Sequence, residues 1–311
     1  MLSAYYKTMR CRPLLLCRAL LCSVSFFILN ATPEDDWKAI RPKVGSLLES
    51  GRKEEAIQLL TELVEQHPDA AELHAQLGMV HYQLRDYDNA LLCLGRAVQL
   101  DDSSIDYAMN LVDVLLADRR FPVALKLLSA VEPKFRGTVP FHYNRALAYY
   151  GARDFTASLR QFREVSRIDP QFAPGHYFQG NCLAAAGNYD QAEAAYRKAL
   201  RLRPEDPTYL FALGKVLQLA GPERLNDSIG LLERSVKLDR TYIPSLLYLG
   251  LGYEKAGQYD RARVLLEEAA TRQPDQIEPH AALARIYYRL KMPERGDASA
   301  ALVRKLRDRS K

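Results

Sequence analysis

Between residues 173 and 206 the apolar positions fall into two stripes of helical spacing broken by one polar turn. Phe178, Gly180 and Leu183 lie along a first helix, Gly187-Asn188 interrupts it, and Ala192, Tyr196 and Ala199 resume the spacing in a second. Pro204 ends that second helix, because proline has no amide hydrogen and crowds the preceding turn, and Asp206-Pro207 leads into the next segment. The pattern predicts two antiparallel helices. The small residues Gly180, Ala192 and Ala199 let them approach closely, and Tyr189 and Tyr196 fill the space between them.

The same phrase recurs along the chain. Leu77-Gly78 precedes Asp86-Tyr87-Asp88-Asn89-Ala90, Gly180 precedes Gly187-Asn188-Tyr189-Asp190-Gln191-Ala192, and Leu249-Gly250 precedes Gly257-Gln258-Tyr259-Asp260-Arg261-Ala262. Ala90, Ala124, Ser158 and Ala192 stand 34 residues apart, and Ser228, Ala262 and Gly296 continue the series after an insertion of two residues marked by Gly221-Pro222. This period and phrase resemble the tetratricopeptide repeat over residues 37–310. The units run 37–70, 71–104, 105–138, 139–172, 173–206, 207–242, 243–276 and 277–310, with closing prolines at Pro68, Pro170, Pro204 and Pro274. Units three, six and eight depart most from the pattern, and Pro42 falls inside the first helix of unit one. The resemblance implies an all-α fold, a right-handed superhelical solenoid of about eight helical hairpins. No hairpin buries its apolar face alone, so each stacks on the next. The last helix, with Arg304, Lys305, Arg307 and Asp308, is polar enough to cap the open end.

Ahead of the repeats, Lys7, Arg10 and Arg12 come before an apolar run at 14–29, interrupted by Arg18, Ser23 and Ser25, and Glu34-Asp35-Asp36 follows. Basic, apolar, acidic is the order of an export signal, and 16 residues fall short of the ~20 that span a membrane. Residues 1–31 are therefore expected to be a signal peptide or membrane anchor and 32–36 a linker. The body would then be extracytoplasmic, either periplasmic or secreted, or anchored to the membrane by the N-terminal segment. The chain carries a formal charge of +5, and since 1–36 holds four basic and three acidic residues the body keeps +4. That balance, with one dense basic run at the C-terminus, points away from nucleic acid. Three of the five cysteines lie in the leader, and Cys93 and Cys182, almost three units apart, are expected as buried small hydrophobes.

Chemistry-bearing constellations are few. His74, His142, His176 and His280 all stand fourth in their units, on separate helices, and are expected to pack rather than bind metal; His81, two turns from His74, is read the same way. Glu54-Glu55 and Glu267-Glu268 are expected to face solvent. There is no Gly-rich phosphate loop, nucleophile elbow or Cys-x-x-Cys, so no enzyme activity, cofactor or metal is expected.

The resemblance places the fourth, eighth and eleventh residues of each unit in the core and the second, fifth, ninth, twelfth and thirteenth on the concave groove. The expected partner-binding residues are Met79, Tyr82, Tyr143, Leu147, Tyr150, Tyr177, Asn181, Phe211, Lys215, Arg285, Tyr288 and Arg289, with Met109, Asp113, Leu251 and Glu254 on the same stripe. The clamp with which some family members grip a C-terminal carboxylate is not matched: Arg41, Gly45, Gln76, Asp106 and Asn110 stand at its positions in units one to three. The expected function is a non-catalytic scaffold holding a protein or peptide ligand, an acidic segment or C-terminus, in the groove. The alternative is a structural or accessory subunit that bridges an assembly through its convex face or its ends.

Overall fold

A computed structural model describes residues 33–309, so the segment expected as signal or anchor lies outside the described residues. Sixteen α-helices and one short 3-10 turn, with no strand, make up the described chain. They fall into two compact units, residues 1–152 and 153–311. The first holds α1 (Pro33–Glu49), α2 (Lys53–Gln66), α3 (Ala71–Gln83), α4 (Tyr87–Leu100), α5 (Ile105–Ala117), α6 (Phe121–Phe135) and α7 (Val139–Gly151). The second holds α8 (Phe155–Ile168), α9 (Ala173–Ala185), α10 (Tyr189–Leu202), α11 (Pro207–Ala220), α12 (Leu225–Leu238), α13 (Ile243–Lys255), α14 (Tyr259–Arg272), α15 (Ile277–Arg289) and α16 (Pro293–Arg309). Residues 33–36, expected as linker, form the first turn of α1; proline at a first helical position followed by acidic residues favours a helix start.

Seven of the described hairpin turns share one backbone conformation. Gly51, Arg85 and Arg119 in the first unit, and Arg153, Gly187, Gly257 and Lys291 in the second, have φ between 59° and 77°. In this left-handed state the chain reverses and the next amide bonds back to the helix just ended: Asp86 N–H donates to the His81 carbonyl, Asn188 N–H to that of Leu183 and Gln258 N–H to that of Tyr253, each at 2.9 Å. The second helices then start from caps such as Asp86 and Asp154, whose carboxylates accept from the amides of Asn89 and Ala157. The insertion in repeat six replaces the left-handed residue with an extended Gly221 and the 3-10 turn Pro222–Arg224.

Close pairing depends on the small residues. A methyl group at Gly180 would stand 2.5 Å from the Tyr196 ring, whose hydroxyl donates to Asn181 Oδ1 at 2.7 Å. Leu60, Leu73, Leu94, Leu128 and Phe141 are sealed in the first unit, as are Phe162, Leu210, Leu213, Leu217, Leu232, Leu246 and Leu266 in the second. Successive first helices also touch, α3 with α5 and α5 with α7, then α9 with α11, α11 with α13 and α13 with α15. Each unit thereby gains a continuous inner face.

The fourth-position histidines do more than pack. Only His176 is buried, and each sets Nε2 against a carbonyl six residues earlier: His74 on Pro68, His176 on Pro170 and His280 on Pro274 at 2.9 Å, and His142 on Arg136 at 2.6 Å. A carbonyl only accepts, so Nε2 carries the hydrogen. Glu267 and Glu268 also differ from expectation. They are half-buried and cross-link neighbouring hairpins, Glu268 with Arg240 and Glu267 with the Tyr287 hydroxyl at 2.7 Å, while Glu268 also pairs with Arg272 one turn on in its own helix. A second helix turns one flank toward the next hairpin, so its acids need not all face solvent. Cys93 and Cys182 are free thiols; burial pushes Cys93 up to about 11, and Cys182 Sγ lies 3.3 Å from Ser158 Oγ.

Candidate partner-binding groove

On the inner face of the second unit, α11, α13 and α15 lie side by side and enclose a groove of about 860 Å³. Gln218 and Leu219 contribute from α11, Tyr248, Leu251, Glu254 and Lys255 from α13, Tyr259 from α14, and Arg285, Tyr288 and Arg289 from α15. Its floor is fixed by a buried amide, since Gln218 Nε2 donates to the Tyr248 carbonyl at 2.9 Å and so ties α11 to α13. Phe211 meets the Tyr248 ring edge-on at 5.5 Å, and the Lys215 ammonium lies 5.0 Å from the centre of the same ring.

The groove's charges are unevenly committed. Arg285 forks onto Glu254, with Nε and Nη2 at 2.7 and 2.8 Å from the two carboxylate oxygens, so its charge is answered within the protein. No acid among the described residues pairs with Arg289 on the following turn, which is exposed. Among the described residues, Lys255 Nζ bonds the Gln218 carbonyl, at 3.4 Å, and pairs with no acid. Tyr288 and Leu219 present apolar surface at 49% and 48% exposure, and the Tyr288 hydroxyl is held by Asp297 at 2.5 Å. The site thus combines apolar walls, a rigid floor and two cations without an acidic partner.

Of the residues expected from sequence, Arg285, Tyr288 and Arg289, with Leu251 and Glu254, line this groove, and Phe211 and Lys215 abut it through Tyr248. Tyr177 and Asn181 are engaged in internal packing instead. Tyr177 stacks on Tyr209 at 4.8 Å and lies 5.9 Å from Tyr196, burial pushes its phenol up, and Asn181 accepts the Tyr196 hydroxyl. In the first unit Met109 is buried, Met79 and Tyr82 pack against the same core, and Tyr143, Leu147 and Tyr150 are partly buried along α7. Gln218, Leu219 and Lys255 went unnamed in the sequence, although they stand twelfth and thirteenth in their units and the stripe rule reaches them. Tyr259 comes from a second helix, where that rule does not look. Among the described residues no three acids, histidines or cysteines gather as metal ligands, and no helix is long and apolar enough to cross a membrane.

Profiles of the tetratricopeptide repeat match residues 45–105, 75–138, 143–207, 177–221 and 253–304. The chain belongs to the tetratricopeptide repeat family. Such repeats make it a protein–protein interaction scaffold. The array is 26% identical over 191 residues to Superkiller complex protein 3 of Mus musculus, covering 58% of this chain and 12% of that protein. It is 27% identical over 177 residues to a probable UDP-N-acetylglucosamine–peptide N-acetylglucosaminyltransferase, SPINDLY, of Hordeum vulgare, covering 54% of this chain and 18% of that one. The chain thus spans less than a fifth of either relative. The solved structure of Pseudomonas aeruginosa pilF superposes with a TM-score of 0.60 at 17% identity, over 68% of this chain and 96% of that one, a likeness of fold.

Proposed function

We propose that this tetratricopeptide array is a non-catalytic scaffold that holds an extended segment of a partner protein in the groove of its second unit. Tyr248, Leu251, Leu219 and Tyr288 supply apolar contact, and Arg289 with Lys255 favours an acidic side chain or a C-terminal carboxylate. The observation that carries this reading is the groove itself: three successive first helices wall it, two large apolar side chains are left half exposed in it, and cations without acidic partners stand beside them. The order of basic, apolar and acidic residues through position 36 supports an extracytoplasmic place of action, with the N-terminal segment as signal or anchor.

Photo-cross-linking from the full chain tests the groove. A photoreactive residue replacing Tyr288 should label a foreign protein, and one replacing Leu92, an exposed residue on the second helix α4, should not. The double variant Tyr288→Ala, Arg289→Glu should weaken capture of that protein about tenfold or more, ~1.4 kcal/mol, with the helix signal retained. Labelling from position 92 alone, or full capture by the folded double variant, would favour a bridging role through the convex face.

A further inference from the structure

The two halves of the array carry opposite charge. Residues 33–152 hold 13 basic and 18 acidic residues, a formal −5, whereas residues 153–311 hold 26 and 20, a formal +6. Part of that positive excess gathers at and beyond the groove of the second unit. Arg289 lines the groove on α15, and Lys291, Arg304, Lys305 and Arg309 stand exposed on the turn and helix that follow. None of these five pairs with an acid among the described residues.

The chain also carries a segment of complementary chemistry. Glu34-Asp35-Asp36 is its only run of three consecutive acids, and its only tryptophan, Trp37, comes next. This stretch opens α1, the first helix of the described array, which packs on α2. Val44 and Leu47, both buried, fix α1 in the core of the first unit, so the acidic turn belongs to that unit and is not a free tail. A second copy can present it without unfolding anything. The groove asks for the same two features, since its walls leave Leu219 and Tyr288 half exposed and its cations Lys255 and Arg289 have no acid of their own. A volume of about 860 Å³ suits a few inserted side chains better than a broad globular face.

Resting on the groove reading above, we propose that the groove is occupied, when no foreign ligand is bound, by the acidic first turn of α1 from a second copy of this chain. Trp37 takes the apolar wall of Leu219, Tyr248 and Tyr288, the acids meet Lys255 and Arg289, and the opposite charges of the two halves steer one copy toward the next. The surface given differs from the surface received, so the contact is heterologous and adds copies in a row or ring rather than closing a two-fold pair. A foreign segment has to displace this turn, which makes self-assembly and ligand capture mutually exclusive.

Sedimentation velocity tests this on the purified full chain, held in a nonionic detergent that masks the apolar leader. The mass should rise with protein concentration and fall back to one copy in high salt. A variant carrying Glu34→Lys, Asp35→Lys and Asp36→Lys, and another carrying Lys255→Glu and Arg289→Glu, should each remain single. Mixing the two should restore association, because the reversed turn of one fits the reversed groove of the other. A second measurement needs no altered chain and decides the matter even if the variants misfold. A fluorescein-labelled peptide of residues 33–40 should bind the full chain in anisotropy titrations, and the same peptide with Glu34→Gln, Asp35→Asn and Asp36→Asn should bind about tenfold more weakly or worse. A chain that stays single at every concentration, folded variants that fail to associate when mixed, or equal binding of the two peptides would each overturn the proposal. So would a Trp37 fluorescence change caused by Lys255→Glu, Arg289→Glu in a chain that is single throughout, since the turn would then come from the same copy. Foreign labelling from position 288 in a chain that does not self-associate would leave the groove reading standing and remove this one alone.

Discussion

Replacing Arg85, Arg119 or Lys291 by glycine should stabilise the chain, because all three hold a left-handed backbone at φ 59–60° with exposed side chains. An L-residue in that conformation costs about 1–2 kcal/mol relative to the right-handed one, whereas glycine costs about 0.5–1 kcal/mol in lost chain freedom. The difference favours glycine by about 0.5–1 kcal/mol at each turn. The sites are at least 34 residues apart with no shared partners, so the gains should add. The reverse change has a clean site as well: Gly187 has φ 77° and an added methyl would meet nothing within 4 Å, so Gly187→Ala should lose about 1 kcal/mol from the backbone alone. Urea unfolding followed by circular dichroism gives the global change. Hydrogen exchange at the Asp86 amide, which bonds across the first of these turns to His81, reads the local one. The local reading matters because repeats couple chiefly to their neighbours, and a global midpoint averages over them. If Arg85→Gly speeds exchange at Asp86, or if Gly187→Ala proves neutral, the turn conformation is not what limits these hairpins.

Gly180→Ala should cost about 1–3 kcal/mol by overpacking, since the new methyl would lie 2.5 Å from a Tyr196 ring that is 3% exposed; an unchanged melting temperature would refute the tight α9–α10 contact. For Asp113, whose carboxyl is raised from 3.8 to about 6, the folded chain binds more protons than the unfolded one between those values. Stability should therefore fall as pH rises through that window and level off above it. The effect is on the order of 3 kcal/mol at most, and Asp113→Asn should flatten it in urea titrations on either side of the window.

The hairpins were legible in the sequence because their determinants are local. A glycine where two helices must touch, as at Gly180, and a turn phrase such as Gly187-Asn188 before Tyr189 leave a mark at every recurrence, and the first helices begin at Ala71, Ile105, Val139 and Ala173 at the same interval. Arg85, Arg119 and Lys291 show that the turn conformation persists where glycine is missing, which composition alone does not reveal. The groove was harder to read. Helical periodicity assigns a residue to a face but does not say whether the next hairpin covers that face, so Tyr177 and Tyr288 looked alike. One is stacked on Tyr209 and the other is half exposed. Charge is likewise readable only as a total, and the pairing of Arg285 with Glu254, 31 residues away, has no local signature.

The histidine contacts bear on how such a chain assembles. His74, His142, His176 and His280 each reach back only six residues, tying the start of a first helix to the loop just before it. A joint that closes over so short a stretch loses little loop entropy and waits for no distant segment. Its parts also emerge in immediate succession from a ribosome or a translocation pore. The chain can therefore set these joints in the order in which they arrive, N-terminal first, holding each finished hairpin in place for the next to dock against while the remainder is still being delivered.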